Sequence, residues 1–263
     1  MLETLQSKSL YLLDMDGTLY IGRTLIEGAY EFIQTLKLRG KRIRYITNNS
    51  SKSVADYQKK LKLLGIESTS DEYFTSSMAS ALYLNHYHKN KRVYCMGTES
   101  LKHELRQTGI LLAESVDEAI DVVLLGYDTE LTYQKLVDVC WLLKRDVVYL
   151  ATNLDYVCPI DFGFVPDCGS FADIIKNATG KYPEVIGKPH PRMITYAIEA
   201  AGSRKEDAVI IGDRLYTDIL SGIKADVMSI CVLSGETTQE DLNQSAYQPN
   251  LVVDSVKELI DYL

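Results

Sequence analysis

Short apolar runs alternate with amphipathic stretches along most of the chain. Leu10 to Leu13 is a continuous apolar run, broken by Asp14-Met15-Asp16-Gly17. A run of that length before a turn signal predicts a strand buried on both faces, as in a parallel sheet. Residues 28–39 place Ala29, Phe32, Ile33 and Leu36 on one helical face, and Gly40 closes the stretch. Ile43 to Ile46 is the next predicted strand and ends in Thr47-Asn48-Asn49-Ser50. Ser53 then caps a helix that runs to Leu64 and stops at Gly65. A third strand is predicted within residues 66–74, ending at Thr75-Ser76-Ser77. Strand, helix, strand, helix, strand is the order of a parallel sheet with crossover helices.

The middle of the chain repeats the theme with different strand ends. Helices are predicted at 78–88, 99–107, 132–143 and 171–178, and strands at 93–96, 121–125 and 147–151. Residues 154–169 are rich in Pro, Gly and Asp and read as a long loop. No paired acids follow these strands. The first style then returns. Gly187-Lys188-Pro189-His190-Pro191 precedes a helix ending near Gly202, with Pro191 suited to its first turn. Ala208 to Ile211 is a short apolar strand that runs into Gly212-Asp213-Arg214, with Asp218 one turn into the next helix. A strand at 228–233 and a helix at 256–263 complete the pattern. There is no internal repeat and no low-complexity linker, so the change in strand-end chemistry marks the domain boundaries.

Composition narrows the function classes. The chain has 263 residues, room for one large domain or two ordinary ones at about 100–200 residues each. Its 46% hydrophobic and 24% charged residues are those of an ordinary globular protein. A net charge of −8, with no basic run longer than Lys41-Arg42 or Lys91-Arg92, argues against nucleic acid as a partner. No apolar run approaches the roughly 18 residues of a membrane span, and residues 1–9 lack a signal peptide's apolar stretch, so the expected location is cytoplasmic, away from membranes. Five widely spaced cysteines without a C-x-x-C pair predict buried thiols rather than disulfides or a zinc site. His86 and His88 lie in a polar stretch without a third ligand nearby and read as surface residues.

Asp14 and Asp16 invite two readings. Carboxylates this close suit metal or proton chemistry, because they do not both stay ionised without a cation or a shared proton. They could equally belong to a solvated turn. A helix-loop-helix calcium site is ruled out, since its sixth and twelfth positions would be Leu19 and Leu25 rather than Gly and Glu. Three more polar signatures follow an apolar strand or open a helix: Thr47/Asn48, Lys188 and Asp213/Asp218. Parallel strands present their carboxyl ends on one edge, so signatures distant in sequence converge there. Carboxylates with spare oxygens suit Mg²⁺, a lysine with backbone amides suits phosphate, and an aspartate can act as a phosphoryl-transfer nucleophile.

Asp14-Met15-Asp16-Gly17-Thr18 resembles the first motif of the haloacid dehalogenase-like hydrolases. Thr47-Asn48-Asn49-Ser50, Gly187-Lys188-Pro189 and Gly212-Asp213-Arg214-Leu215-Tyr216-Thr217-Asp218 are similar to the second, third and fourth, in the family's order. Thr-Asn-Asn-Ser-Ser and Gly-Asp-Arg-x-x-Thr-Asp resemble the NagD-like branch of nitrophenyl-phosphate, nucleotide and pyridoxal-phosphate phosphatases. The resemblance implies an α/β fold, a doubly wound, Rossmann-like parallel-sheet core over residues 1–77 and 183–263, with an inserted α/β cap domain over 78–182. It implies a Mg²⁺-dependent phosphomonoesterase of small phosphate esters. In that scheme Asp14 is the nucleophile and Asp16 the acid and base. Mg²⁺ lies between the Asp14 carboxylate, the Asp16 backbone carbonyl and Asp213, while Thr47, Asn48 and Lys188 hold phosphoryl oxygens. Asp218 would support the metal or Lys188, and Asn153 and Asp155 match a Thr-Asn-x-Asp phrase expected to help choose substrates. A homodimer through the cap stays open. A phosphomutase would more often carry its cap between the first two motifs, where this chain has room only for a helix and a strand. A non-catalytic binding module would not need Asp14, Asp16, Lys188 and Asp213 together.

Overall fold

The structure is a computed structural model that describes residues 2–160 and 162–263. It comprises two compact units. The first contains the segment through Thr47, Val54–Phe74 and Lys188–Leu263; the second contains Asn48–Ser53 and Thr75–Gly187.

In the first unit a six-stranded sheet runs in the order Leu251–Val253, Met228–Val232, Ala208–Gly212, Leu10–Leu13, Arg42–Thr47, Tyr73–Thr75. The pairings from Leu251–Val253 across to Arg42–Thr47 are all parallel. Every residue of Leu10–Leu13 is buried, which is why its sequence lacks alternation. Leu13 lies opposite Ile211 on one side and Tyr45 on the other, so the three strands reach the same edge in register. The Ala29–Leu38 helix buries Ala29, Phe32, Ile33 and Leu36, the face that periodicity marks. Phe32 meets Tyr11 edge to face, with ring centroids 6.4 Å apart. Side chains of this size contribute about 1.5–3 kcal/mol each when fully buried. The segment expected as a C-terminal α-helix is a 3-10 helix, Val256–Tyr262, and its Val256 and Leu259 complete the same core.

The second unit holds a five-stranded parallel sheet in the order Glu184–Val185, Val148–Ala151, Val122–Leu125, Arg92–Met96, Leu111–Leu112. The stretch expected as a loop at 154–169 contains an antiparallel hairpin, Val157–Ile160 with Gly163–Pro166. Its prolines are tolerated because a two-stranded ribbon leaves one edge of each strand unpaired. The helix after it starts at Cys168, capped by the Asp167 carboxylate.

Packing divides the chain at Thr47/Asn48, Ser53/Val54, Phe74/Thr75 and Gly187/Lys188, where strand-end chemistry suggests 77/78 and 182/183. The Thr75 side chain accepts the Met78 N–H at 3.2 Å and caps the Ser76–Tyr87 helix, which therefore starts before residue 78. Glu184–Val185 pairs with Val148–Ala151, which carries the second unit past residue 182. All five cysteines are free. Among the described residues no helix is long and apolar enough to cross a membrane.

Candidate active site

Asp14 follows directly on the Leu10–Leu13 strand, and its N–H donates to the Ile211 carbonyl at 2.9 Å, extending the ladder by one step. Asp213 follows Ala208–Gly212 on one side, and Thr47 ends Arg42–Thr47 on the other. Lys188 stands two residues before His190, the N-cap of the Pro191–Ala200 helix. The Lys188 ammonium donates to Asp14 Oδ1 at 2.5 Å and to Asp218 Oδ1 at 2.6 Å. Asp218 Oδ2 accepts the Arg214 N–H at 3.1 Å within a π-helical turn, Leu215–Ile219, so this acid fixes the lysine from behind. Asp14, Asp213 and Asp218 each place a carboxylate oxygen within 4.8 Å of the others, the one such cluster among the described residues.

Three carboxylates share this buried edge with one ammonium, so the ionised cluster carries two uncompensated negative charges. Burial, followed by the neighbouring carboxylates, pushes Asp14 well above the usual carboxylate range despite the opposing pull of Lys188. Burial and Asp218 push Asp213 up to about 7. Burial would pull Lys188 down, but Asp14 and Asp218 more than offset it and hold the ammonium charged. Asp213 Oδ2 accepts the Glu236 N–H at 2.7 Å, whereas the buried Oδ1 has no hydrogen-bond partner. A lone carboxylate oxygen among other carboxylates is a fitting ligand for a hard divalent cation.

Glycines make room for this packing. A Cβ at Gly17, which has φ +83°, would sit 2.2 Å from Asp213 Oδ2, and one at Gly235 would sit 2.0 Å from the same atom. The Asp16 carboxylate is not part of this cluster. Its Oδ2 accepts the Tyr20 hydroxyl at 3.3 Å, and its Oδ1 lies 3.4 Å from the Lys60 ammonium.

Of the residues singled out in the sequence, Asp14, Asp16, Thr47, Lys188, Asp213 and Asp218 belong to the first unit. Asn48, Asn153 and Asp155 are gathered in the second, where Asp155 Oδ2 accepts from Asn48 Nδ2 at 2.7 Å and Asn153 Nδ2 at 2.9 Å. Asn153 also donates to Asp167 at 3.1 Å, making one buried polar network. Tyr20, Lys60 and the backbone at Gly235-Glu236 escape sequence reasoning. A lone tyrosine, a lysine in an amphipathic helix and a loop glycine carry no motif.

The profile of the haloacid dehalogenase-like hydrolases matches residues 11–111, and a second profile of HAD-hydrolase-like proteins matches residues 185–259. An acid sugar phosphatase of Staphylococcus saprophyticus is 34% identical over 253 residues, covering 96% of this chain and 97% of that protein. The chain belongs to the haloacid dehalogenase-like hydrolases. The 5'-nucleotidase YutF of Bacillus subtilis is 33% identical over 253 residues, covering 96% of this hydrolase and 98% of YutF. Among solved structures, a 4-nitrophenylphosphatase from Thermotoga maritima superposes with a TM-score of 0.93 at 38% identity, covering 98% of each chain. A putative nagD protein superposes with a TM-score of 0.89 at 37% identity over 97% of this chain and 98% of its own, in line with the branch that the motifs resemble.

Proposed function

We propose that this hydrolase is a phosphomonoesterase of small phosphate esters that works through an aspartyl phosphate on Asp14. The observation that carries the reading is the Lys188 ammonium held between Asp14 and Asp218, with Asp213 on the same buried edge. An anion-handling pocket with a carboxylate nucleophile is what phosphoryl transfer needs. The relatives' names, 5'-nucleotidase, acid sugar phosphatase and 4-nitrophenylphosphatase, support the same class of substrate.

The Asp14 carboxylate attacks phosphorus, and the bond from phosphorus to the leaving oxygen breaks. Asp16 gives that oxygen a proton, then takes one from the water that attacks the aspartyl phosphate, releasing inorganic phosphate and restoring Asp14. Lys188 holds a phosphoryl oxygen while Asp218 fixes the lysine, and Thr47 and Asn48 take further oxygens. The Asp14 carboxylate, the Asp16 carbonyl and Asp213 would hold Mg²⁺, which supplies counter-charge for two anions that must meet. A glycerol phosphate phosphatase from Mycobacterium tuberculosis, 28% identical, has been solved in complex with magnesium.

The test is phosphate release across a panel of sugar phosphates, nucleoside monophosphates and 4-nitrophenyl phosphate, with Mg²⁺ and with excess chelator. Turnover that chelator stops and Mg²⁺ restores is expected, with Asp14→Asn folded and inactive. Full activity in chelator removes the metal, and full activity of Asp14→Asn removes the nucleophile. Five free cysteines agree with a reducing, cytoplasmic setting. Tyr133, Val137 and Trp141 form an exposed stripe at i, i+4 and i+8 on one helix of the second unit and support a homodimer through it. A monomer by light scattering at micromolar concentration would refute that.

A further inference from the structure

We propose that Tyr20 and Lys60 are positioning residues for Asp16, holding its carboxylate in the orientation from which it meets the leaving oxygen. This rests on Asp16 being the proton carrier. The turn after Asp14 closes on itself. The Met15 carbonyl accepts the N–H groups of Thr18, Leu19 and Tyr20 at 3.3, 2.9 and 3.3 Å, and the Gly17 N–H donates to the Tyr20 carbonyl at 2.8 Å. The fully buried Tyr20 side chain then returns to Asp16, with its hydroxyl on Oδ2. Lys60 comes from a different element, the Val54–Leu63 helix, which seats Tyr57 and Leu61 in the core. Its ammonium lies 3.4 Å from Asp16 Oδ1 and 3.7 Å from the centroid of the Tyr20 ring. Each carboxylate oxygen thus has its own donor, and the two donors bind each other through a cation–π contact.

An isolated pair on a carboxylate 36% exposed would be worth little for stability. Its value here is geometric. A general acid works only within about 2.6–3.2 Å of the atom it protonates, and a misplacement of about 1 Å can cost about a hundredfold.

The readout is the dependence of kcat/KM on the leaving group, measured with 4-nitrophenyl, phenyl and benzyl phosphate. This parameter covers the steps through transfer to Asp14. Nitrophenolate leaves without a proton, whereas benzyl alkoxide needs one. Lys60→Met and Tyr20→Phe are expected to lower kcat/KM for benzyl phosphate about tenfold and for 4-nitrophenyl phosphate less than about threefold, a part of the 10²–10⁴-fold typical of acid catalysis. Lys60→Arg should restore most of the benzyl value. In the Asp16→Asn background, adding Lys60→Met should change nothing further, because the lysine acts through the acid. Tyr20→Phe keeps the buried ring, so it tests the idea even if Lys60→Met folds poorly. Equal losses on all three esters, or full additivity with Asp16→Asn, would overturn the positioning role. If Asp16→Asn itself shows no leaving-group dependence, the proton-carrier reading beneath it is what fails.

Discussion

Asp213→Asn separates two jobs that one carboxylate combines. In the metal-free protein Asp213 is a burden: it is 2% exposed, and burial with the Asp218 charge pushes it from 3.8 to about 7. The folded state therefore holds the proton more tightly than the unfolded chain. Ionising the group costs stability that begins to be lost as pH rises past 3.8 and is fully lost above about 7. Three units at about 1.4 kcal/mol each put the burden at about 4 kcal/mol at pH 8. The amide escapes it but weakens the bond from the Glu236 N–H, a change of about 1 kcal/mol or more. The net gain expected at pH 8 is therefore about 3 kcal/mol. For 263 residues at about 2.1 cal/mol/K each, that raises Tm by about 5 °C. At pH 5, where Asp213 is largely protonated in the folded state, the gain should fall below about 1 kcal/mol. Mg²⁺ at a hundred times its Kd should stabilise the parent by about 2.7 kcal/mol and the variant not at all. Calorimetry in chelator and in Mg²⁺ at both pH values reads all of this. A variant that melts below the parent in chelator at pH 8, or that gains as much from Mg²⁺, refutes the account.

Lys188→Met should leave Asp14 and Asp218 facing each other without their cation; removing one partner of a buried pair typically costs about 3–5 kcal/mol, readable by urea denaturation, and phosphate release should fall at least about a hundredfold. Gly17→Ala forces a Cβ to within 2.2 Å of Asp213 Oδ2 at a positive φ, so the Mg²⁺ concentration for half-maximal activity should rise while the circular dichroism spectrum is kept. Leu13→Ala, in the strand that carries Asp14, should lower stability by about 2–5 kcal/mol in chemical denaturation.

The elements legible in the sequence are those whose burial is two-sided or strictly periodic. Leu10–Leu13 and Ala208–Gly212 are apolar throughout because the sheet is covered on both faces, and Ala29–Leu38 shows a single apolar stripe. Short and marginal elements were not legible. Leu2–Ser7 and Gln239–Gln244 are helices of six residues, too short for a periodic signal. Leu251–Val253 and Glu184–Val185 are edge strands of three and two residues, held by one neighbour each. The hairpins Tyr20–Ile21 with Thr24–Leu25 and Val157–Ile160 with Gly163–Pro166 contain residues that read as turns, and pairing with a neighbour decides their state.

The site divides along a similar line. Asp14, Thr47 and Asp213 were legible because each ends a recognisable strand, and parallel register alone brings them to one edge. Asp218 was legible as an acid with two tasks left open, the metal or Lys188, and the fold shows its carboxylate on Lys188. Tyr20 and Lys60 were not legible, because forty residues separate them and their shared partner is a side chain rather than a ladder. The difference is physical. Backbone register transmits position over any sequence distance, so strand-end chemistry can be read from order alone. A side-chain cluster such as Asp16, Tyr20 and Lys60 depends on rotamers set by the surrounding core, and no periodicity records it. Substitutions at strand ends should therefore act on phosphoryl transfer itself, whereas those at Tyr20 and Lys60 should act only on its proton.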